Sequence, residues 1–218
     1  MIHPDSELRY VNAAIGYGVF ATRLIPKGTI TWVPDPLDQM LSPVRYAALT
    51  GIVHAAACKY SYLNGRGEHV LCWDHARFVN HSCAATCLSA GFDFEIAIRD
   101  ILPGDELTDD YGTLNLEESF PCLCGAPGCR GSVEPDDPER LAAAWDALTS
   151  AAFPLIPLVE QPLWELVSEK EEIAKVLSGA LELPSVLHHY RARTARSTAA
   201  SVGSGGRSAP FFTEIQNI

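Results

Sequence analysis

The sequence predicts a mainly β protein with a helical C-terminal appendage. That expectation rests on short runs of β-branched and aromatic residues broken by Gly and Pro turns up to residue 34, a hairpin pattern at 60–73, and a switch to helical spacing after Pro135. With 218 residues and 47% apolar content, the chain can bury one domain of ordinary size with further structure attached.

Taken in order, YGVFAT and TITWV read as strands separated by the turn Ile25-Pro26-Lys27-Gly28. Residues 36–57 lose the alternation and gain Leu and Ala, which predicts one or two short helices broken near Ser42-Pro43. YSYLNGRGEHVLCW sets aromatic and aliphatic runs on either side of Asn64-Gly65-Arg66-Gly67, a hairpin. FDFEIAIRDI alternates as a strand, and Pro103-Gly104-Asp105 then turns the chain. Asp136-Asp137-Pro138-Glu139 offers a helix cap, a proline at the first helical position and acids in the first turn. RLAAAWDALTSAA continues that helix, PLWELVSEKEEIAKVLSGAL reads as a second, and PSVLHHYRARTA as a third. The expected organisation is therefore a β-rich domain over 1–118 with a helical insert at about 36–57, a cysteine loop at 119–134, a helical region at 135–193 and a flexible tail at 194–218.

Composition narrows the function. No apolar run approaches the roughly 18–20 residues that span a bilayer, and MIHPDSELRY lacks a signal-peptide pattern, so no membrane and an intracellular place are expected. Seven cysteines, an odd number, argue against a disulfide framework and for metal binding or free thiols. The net charge of -11 disfavours direct nucleic-acid binding; it either attracts a basic partner or serves solubility. Residues 95–139 alone hold twelve acids against two arginines, Arg99 and Arg130.

Three constellations carry possible chemistry beside that acidic stretch. In PCLCGAPGCRG, tight Gly and Pro turns bring Cys122, Cys124 and Cys129 together as three ligands of a tetrahedral ion, one short of a closed zinc site. RFVNHSC with Cys87 can supply the fourth through His81, Cys83 or Cys87, and such a site would tie the loop back to residue 83 in place of a disulfide. Gly16-Tyr17-Gly18 is either a bulge or a place where a ligand touches backbone, and it lacks the third glycine of a dinucleotide fold. In GDELTDDYG, Tyr111 sits among carboxylates that oppose its ionisation, so it is either a neutral hydrogen-bonding phenol or a core tyrosine in a solvated loop.

In their order along the chain these stretches resemble the SET-domain family of protein-lysine methyltransferases with a zinc-binding post-SET loop: GYGVFATRLIPKG, RFVNHSC, GDELTDDYG and CLCGAPGCRG, over roughly residues 8–132. The resemblance implies the β-clip SET fold of small curled sheets with a pseudoknot, and S-adenosyl-L-methionine as cofactor. It implies that Gly16, Tyr17, Gly18, Arg77, Asn80, His81 and Tyr111 hold that cofactor. Tyr111 would stand beside the transferring methyl, and Cys83 would join Cys122, Cys124 and Cys129 on one structural zinc, with Cys87 as the rival fourth ligand. Cys58 and Cys72 read as buried small hydrophobes. The implied substrate is a protein with an exposed lysine in a basic segment, such as a histone-like or ribosomal protein. A catalytically inactive binding module retaining the zinc clamp is the alternative, and a redox-sensing zinc protein a third. Two positions depart from the family pattern: Asp109 stands where Phe or Tyr is usual, which leaves the number of methyls open, and Ala84-Ala85-Thr86 replaces Asp-Pro-Asn. The cysteine-rich region that precedes the domain in many histone-specific members is absent.

Overall fold

The computed structural model describes residues 1–191. The chain runs through β1 (Ser6–Asn12), β2 (Gly16–Ala21), β3 (Ile30–Trp32), β4 (Gln39–Leu41), α1 (Pro43–Ala47), α2 (Gly51–Tyr60), β5 (Ser61–Leu63) and β6 (His69–Leu71). It continues with β7 (Asn80–His81), β8 (Cys87–Ser89), β9 (Glu95–Ala97), β10 (Glu106–Asp109), β11 (Phe120–Pro121), β12 (Ser132–Val133), α3 (Asp137–Ala152) and α4 (Lys170–Leu177).

The strands form four small sheets ordered β1-β2-β10-β7, β3-β9-β8, β4-β6-β5 and β11-β12. Small, separate sheets are the expected mainly β fold, and the predicted hairpin is β5 paired antiparallel with β6. The decisive pairing is β7 with β10, which is parallel, Thr108 opposite Asn80 and Asp109 opposite His81. Thr86 crosses from the next segment to Thr108 through reciprocal backbone and hydroxyl hydrogen bonds. Together they hold the RFVNHSC segment against the strand that leads to Tyr111, where the pseudoknot was expected.

Three local expectations need correction. Ser42-Pro43 starts a helix instead of breaking one: the Ser42 side chain accepts the Arg45 N–H, and the interruption falls between α1 and α2, with β4 before them. At the start of α3 the useful carboxylate is Asp137, which is fully buried and accepts the Glu134 N–H and both neighbouring arginines; Asp136 makes no capping bond. The stretch read as a second helix is a 3-10 turn at Trp164–Leu166 followed by α4, and the third is a 3-10 turn at Val186–His189. The expected tail lies outside the described residues.

The C-terminal helices are also no appendage. Trp145, Ala152, Phe153, Ile156 and Ile173 share one hydrophobic cluster with Ile30, Leu88, Phe92, Phe94 and Ile96 of β3, β8 and β9 and the loop before β9. A second cluster, Val19, Ile25, Cys87, Ala97, Ile101 and Leu107, packs the paired β2 and β10 against β8 and β9. The stretch Asp137–Leu158 is long and apolar enough to cross a bilayer by length and composition, contrary to the sequence reading, but its apolar side is the one that fills the first cluster.

Candidate active site and metal centre

Adjacent residues of an extended strand point to opposite faces, and β7 uses both. Asn80 turns toward β2, where its amide donates to the Tyr17 carbonyl (3.0 Å) and to the Glu106 carboxylate (2.7 Å). That leaves the Asn80 amide oxygen as an acceptor at the edge of the Gly16–Gly18 strand. The approach is close because Gly18 has no side chain: a Cβ there would stand 2.2 Å from Glu106 Oε1 and 2.9 Å from Asn80 Nδ2. Gly16 adopts φ +85°, a backbone setting that favours glycine. This cradle of glycine backbone and one amide fits the zwitterionic end of an amino-acid-bearing cofactor.

His81 goes the other way. Its ring is almost enclosed, its Nδ1 accepts the Tyr111 backbone N–H (3.1 Å), and its Nε2 lies 3.5 Å from the Cys83 sulfur. Burial lowers the His81 pKa, so the ring is neutral, and with Nδ1 accepting, the proton sits on Nε2 facing sulfur. Strand alternation turns the His81 ring away from the Asn80 side chain, toward Cys83 and the Tyr111 turn. Arg77 is exposed and lies over the Phe78 ring (5.4 Å), which meets Tyr17 edge-on (6.1 Å); it reaches the same ledge as Tyr17 but not Asn80.

Three of the four expected sulfurs, those of Cys83, Cys122 and Cys124, gather with His81, while Cys129 stands outside that close group. Ligand atoms of His81, Cys83, Cys122 and Cys124 lie within 4.8 Å of one another, and Cys129 contacts the Cys122 and Cys124 thiols. The Cys83–Cys122 separation of 3.7 Å matches the ~3.8 Å edge of a tetrahedron with metal–sulfur bonds of about 2.3 Å. Backbone N–H groups point at these sulfurs, Arg130 at Cys83, Cys83 at Cys124 and Gly131 at Cys129. The Cys124 pKa falls to about 6: burial raises it, but backbone N–H donors and the neighbouring thiols outweigh that. The donor set suits a four-coordinate soft cation. Cys87, the rival ligand, is buried in the second cluster against Thr86 and takes no part. Cys72 is buried as expected, whereas Cys58 is only half-buried, beside Tyr46 (3.0 Å) and His54.

Tyr111 opens a short turn immediately after β10. Its hydroxyl donates to the Val79 carbonyl at 2.6 Å, so the phenol oxygen keeps lone pairs for whatever lies before it. Burial first, then Asp109, Glu106 and Glu95, raises its pKa, so the phenol is neutral. Next to it, Asp110 is nearly inaccessible and fully engaged: Arg130 pairs with both its oxygens at 2.7 Å, and Trp145 Nε1 and the Gly112 N–H also donate to it. Arg130 thus joins the cysteine loop, α3 and the Tyr111 turn. Asp109, on the opposite face, is 3% exposed and hydrogen-bonds to Glu95 of β9. Burial and the partner's charge raise Asp109 well above the carboxylate range, and burial pushes Glu95 up to about 7, so the pair shares a proton. Sequence reasoning missed Glu95, Arg130 and Trp145; the scarcity of arginine in 95–139 was the available signal for Arg130, one of the two cations among twelve acids.

Residues 16–112 match the family model described as SET domain, ending one residue past Tyr111. Those residues are a SET domain. Similar proteins include the H3 lysine-4 specific histone-lysine N-methyltransferase of Schizosaccharomyces pombe, 48% identical over 63 residues, 26% of this chain and 7% of that protein. The histone-lysine N-methyltransferase SETD1 of Drosophila melanogaster is 31% identical over 140 residues, 58% of this chain and 8% of that protein. This chain thus spans less than a tenth of either relative. Among solved structures, the methyltransferase domain of human SETMAR aligns with 61% of this chain and 58% of that chain, at 21% identity and a TM-score of 0.41. In this SET domain, the glycine cradle, Asn80 and Tyr111 all fall within the matched residues, while the sulfur-rich loop and α3 lie beyond them.

Proposed function

We propose that this protein transfers a methyl group from S-adenosyl-L-methionine to the side-chain amine of a lysine in a protein substrate, with one structural zinc holding the loop at 119–134. The observation that carries it is the SET-domain match over 16–112 with a neutral Tyr111 at its end. The backbone of Gly16, Tyr17 and Gly18 and the Asn80 amide oxygen would hold the amino-acid end of the cofactor, and Arg77 the ledge beside it. When bound, the cofactor supplies an electrophilic methyl group, which a neutral amine takes by direct displacement without a covalent enzyme intermediate.

The residues of this chain then have two tasks, positioning and control of charge. A lysine with pKa about 10.4 is neutral about once in 2,500 at pH 7, a deficit of roughly 4–5 kcal/mol, so a dry channel that disfavours the ammonium is useful. Tyr111 suits this because its hydroxyl hydrogen is committed to Val79 and its oxygen offers lone pairs without an added anion. Cys83, Cys122, Cys124 and Cys129 are the proposed zinc ligands, with His81 Nε2–H donating to the Cys83 sulfur from outside the coordination sphere. Such a zinc is a staple for a segment whose own strands are two residues each.

The exposed acids of the 95–118 stretch, Asp100, Glu117 and Glu118, favour a basic segment around the target lysine, and histones, histone-like proteins and ribosomal proteins are the first substrates to try. Incubation with labelled cofactor should label lysine in one of these. Tyr111→Phe should lower transfer at least 100-fold with cofactor affinity retained. Retained cofactor binding with no label on any lysine would instead support the inactive binding module.

A further inference from the structure

Between α4 and the 3-10 turns at Phe153–Leu158 and Trp164–Leu166 the chain leaves an open groove of about 390 Å³. Lys170, Ile173, Ala174 and Leu177 stand at helical spacing on the side of α4 that lines it. Ile156 and Ile173 are buried in its floor, while Pro157, Ala174 and Leu177 are exposed and Trp164 is half-buried.

Its polar groups are few. Gln161 is committed to the fold: its side-chain carbonyl accepts the Ile30 N–H (2.8 Å), and its amide donates to the carbonyls of Gly28 (2.8 Å) and Ile156 (3.0 Å). Lys170 gives one of the three N–H groups of an ammonium to the Glu165 carbonyl (3.2 Å). Among the described residues it pairs with no acid. Apolar walls with a single cation suit an apolar chain segment that carries one carboxylate. They offer too little charge for a phosphate and no ligand set for a metal ion.

The sequence contains such a segment. In FFTEIQNI, residues 211–218, Phe211, Phe212, Ile215 and Ile218 recur at helical spacing, and Glu214, the sole charged residue, falls at the edge of that apolar face. Eight residues make a marginal helix alone in water, so such a segment needs a surface to fold against. Residues 192–210 have only Val202 as a sizeable apolar side chain, which leaves 211–218 as a separate apolar unit. The connection is long enough. Leu177 of the groove precedes Arg191 by fourteen residues, so the two lie at most about 50 Å apart, and the twenty steps from Arg191 to Phe211 span up to about 66 Å.

We propose that residues 211–218 dock in this groove as an amphipathic helix, with Phe211, Phe212 and Ile215 against Ile156, Trp164 and Leu177 and with Glu214 paired to Lys170. Ile156 and Ile173 belong to the cluster that holds Trp145, so the segment covers from outside the core that stands behind the Tyr111 turn. The proposal is independent of the methyl-transfer reading, and its test needs neither cofactor nor substrate.

In the full chain, carbodiimide coupling followed by mass spectrometry should join Glu214 to Lys170. In a mixture of isotope-labelled and unlabelled protein, the two halves of each joined peptide should come from the same chain. Hydrogen exchange over residues 170–177 should be about tenfold faster in Phe211→Ser/Phe212→Ser than in wild type, the change expected when a segment seated about ten times as often as not is released. Glu214→Lys should give part of that change, and Lys170→Glu/Glu214→Lys should recover wild-type exchange. Unchanged exchange in the serine variant, with no Glu214–Lys170 link, would overturn the docking. Failure of the double charge reversal to recover would overturn the pairing. Joined peptides of mixed label would give the groove to the segment of a second copy and overturn docking within one chain.

Discussion

Asp109 and Asp110 are neighbours in sequence, both nearly inaccessible, and treated in opposite ways. Asp110 has a bidentate arginine, an indole and a backbone N–H, and it ties three parts of the molecule together. Asp109 has only its own backbone neighbour and another acid. Strand alternation separates them: one faces the cysteine loop and α3, the other faces β9. A buried carboxylate can thus be part of the framework, with its cation built in, or it can share a proton with a second acid and have no cation paired with it among the described residues.

The contrast makes the largest expected effect the loss of Asp110's partner. Arg130→Met should cost about 3 kcal/mol in urea unfolding of the zinc-loaded protein, because it strands a buried charge and does not remove the pair. The Glu95→Met/Asp109→Val protein should lose nothing by the same measurement; equal losses in the two would erase the distinction. Next in size is His81. Replacing it with Gln should weaken zinc retention about 10- to 100-fold against a chromogenic chelator, the range for groups that hydrogen-bond a ligand, and Cys83→Ser should do more. If the two match, His81 is itself a ligand and Cys129 is displaced from that place.

The smallest effect is the pH dependence of the acid pair. Glu95 has its folded pKa raised by burial from an ordinary 4.5 to about 7, so its contribution is fully present below about 4.5 and is lost as pH rises through about 7. The stability of the wild type relative to the double variant should therefore fall across that window and go on falling above it, because Asp109, raised still further by burial and by the Glu95 charge, holds its proton longer. Taking the difference between the two proteins removes the thiol titrations they share. A flat difference from pH 4 to 8 would mean that the pair is solvated.

Much of this architecture is legible in the sequence because it depends on neighbours along the chain. Asn64-Gly65-Arg66-Gly67 set the hairpin, and the tight turns of PCLCGAPGCRG gather three thiols locally. Tyr111's neutrality also follows from the composition around it, although burial is the first cause and two of the three acids named were already adjacent. Where partners are far apart, the sequence is silent. Glu95 meets Asp109 only because β9 and β10 come together from different sheets. His81 and Asn80 looked like one motif, and the two faces of a two-residue strand divide their work. The apolar spacing of RLAAAWDALTSAA marks a helix, but nothing in it tells that Trp145 reaches Asp110.

That indole has a practical consequence for anyone who wishes to cut, graft or transplant this chain. The family-model match stops at residue 112, and a gene designed to that limit would encode Ile30, Leu88, Phe92 and Phe94 with their covering removed, because α3 and the turns after it supply the other half of that core. The unit of inheritance suggested by sequence matching is shorter than the unit that can stand alone in water, and the excess is the helix that holds the tyrosine turn from behind.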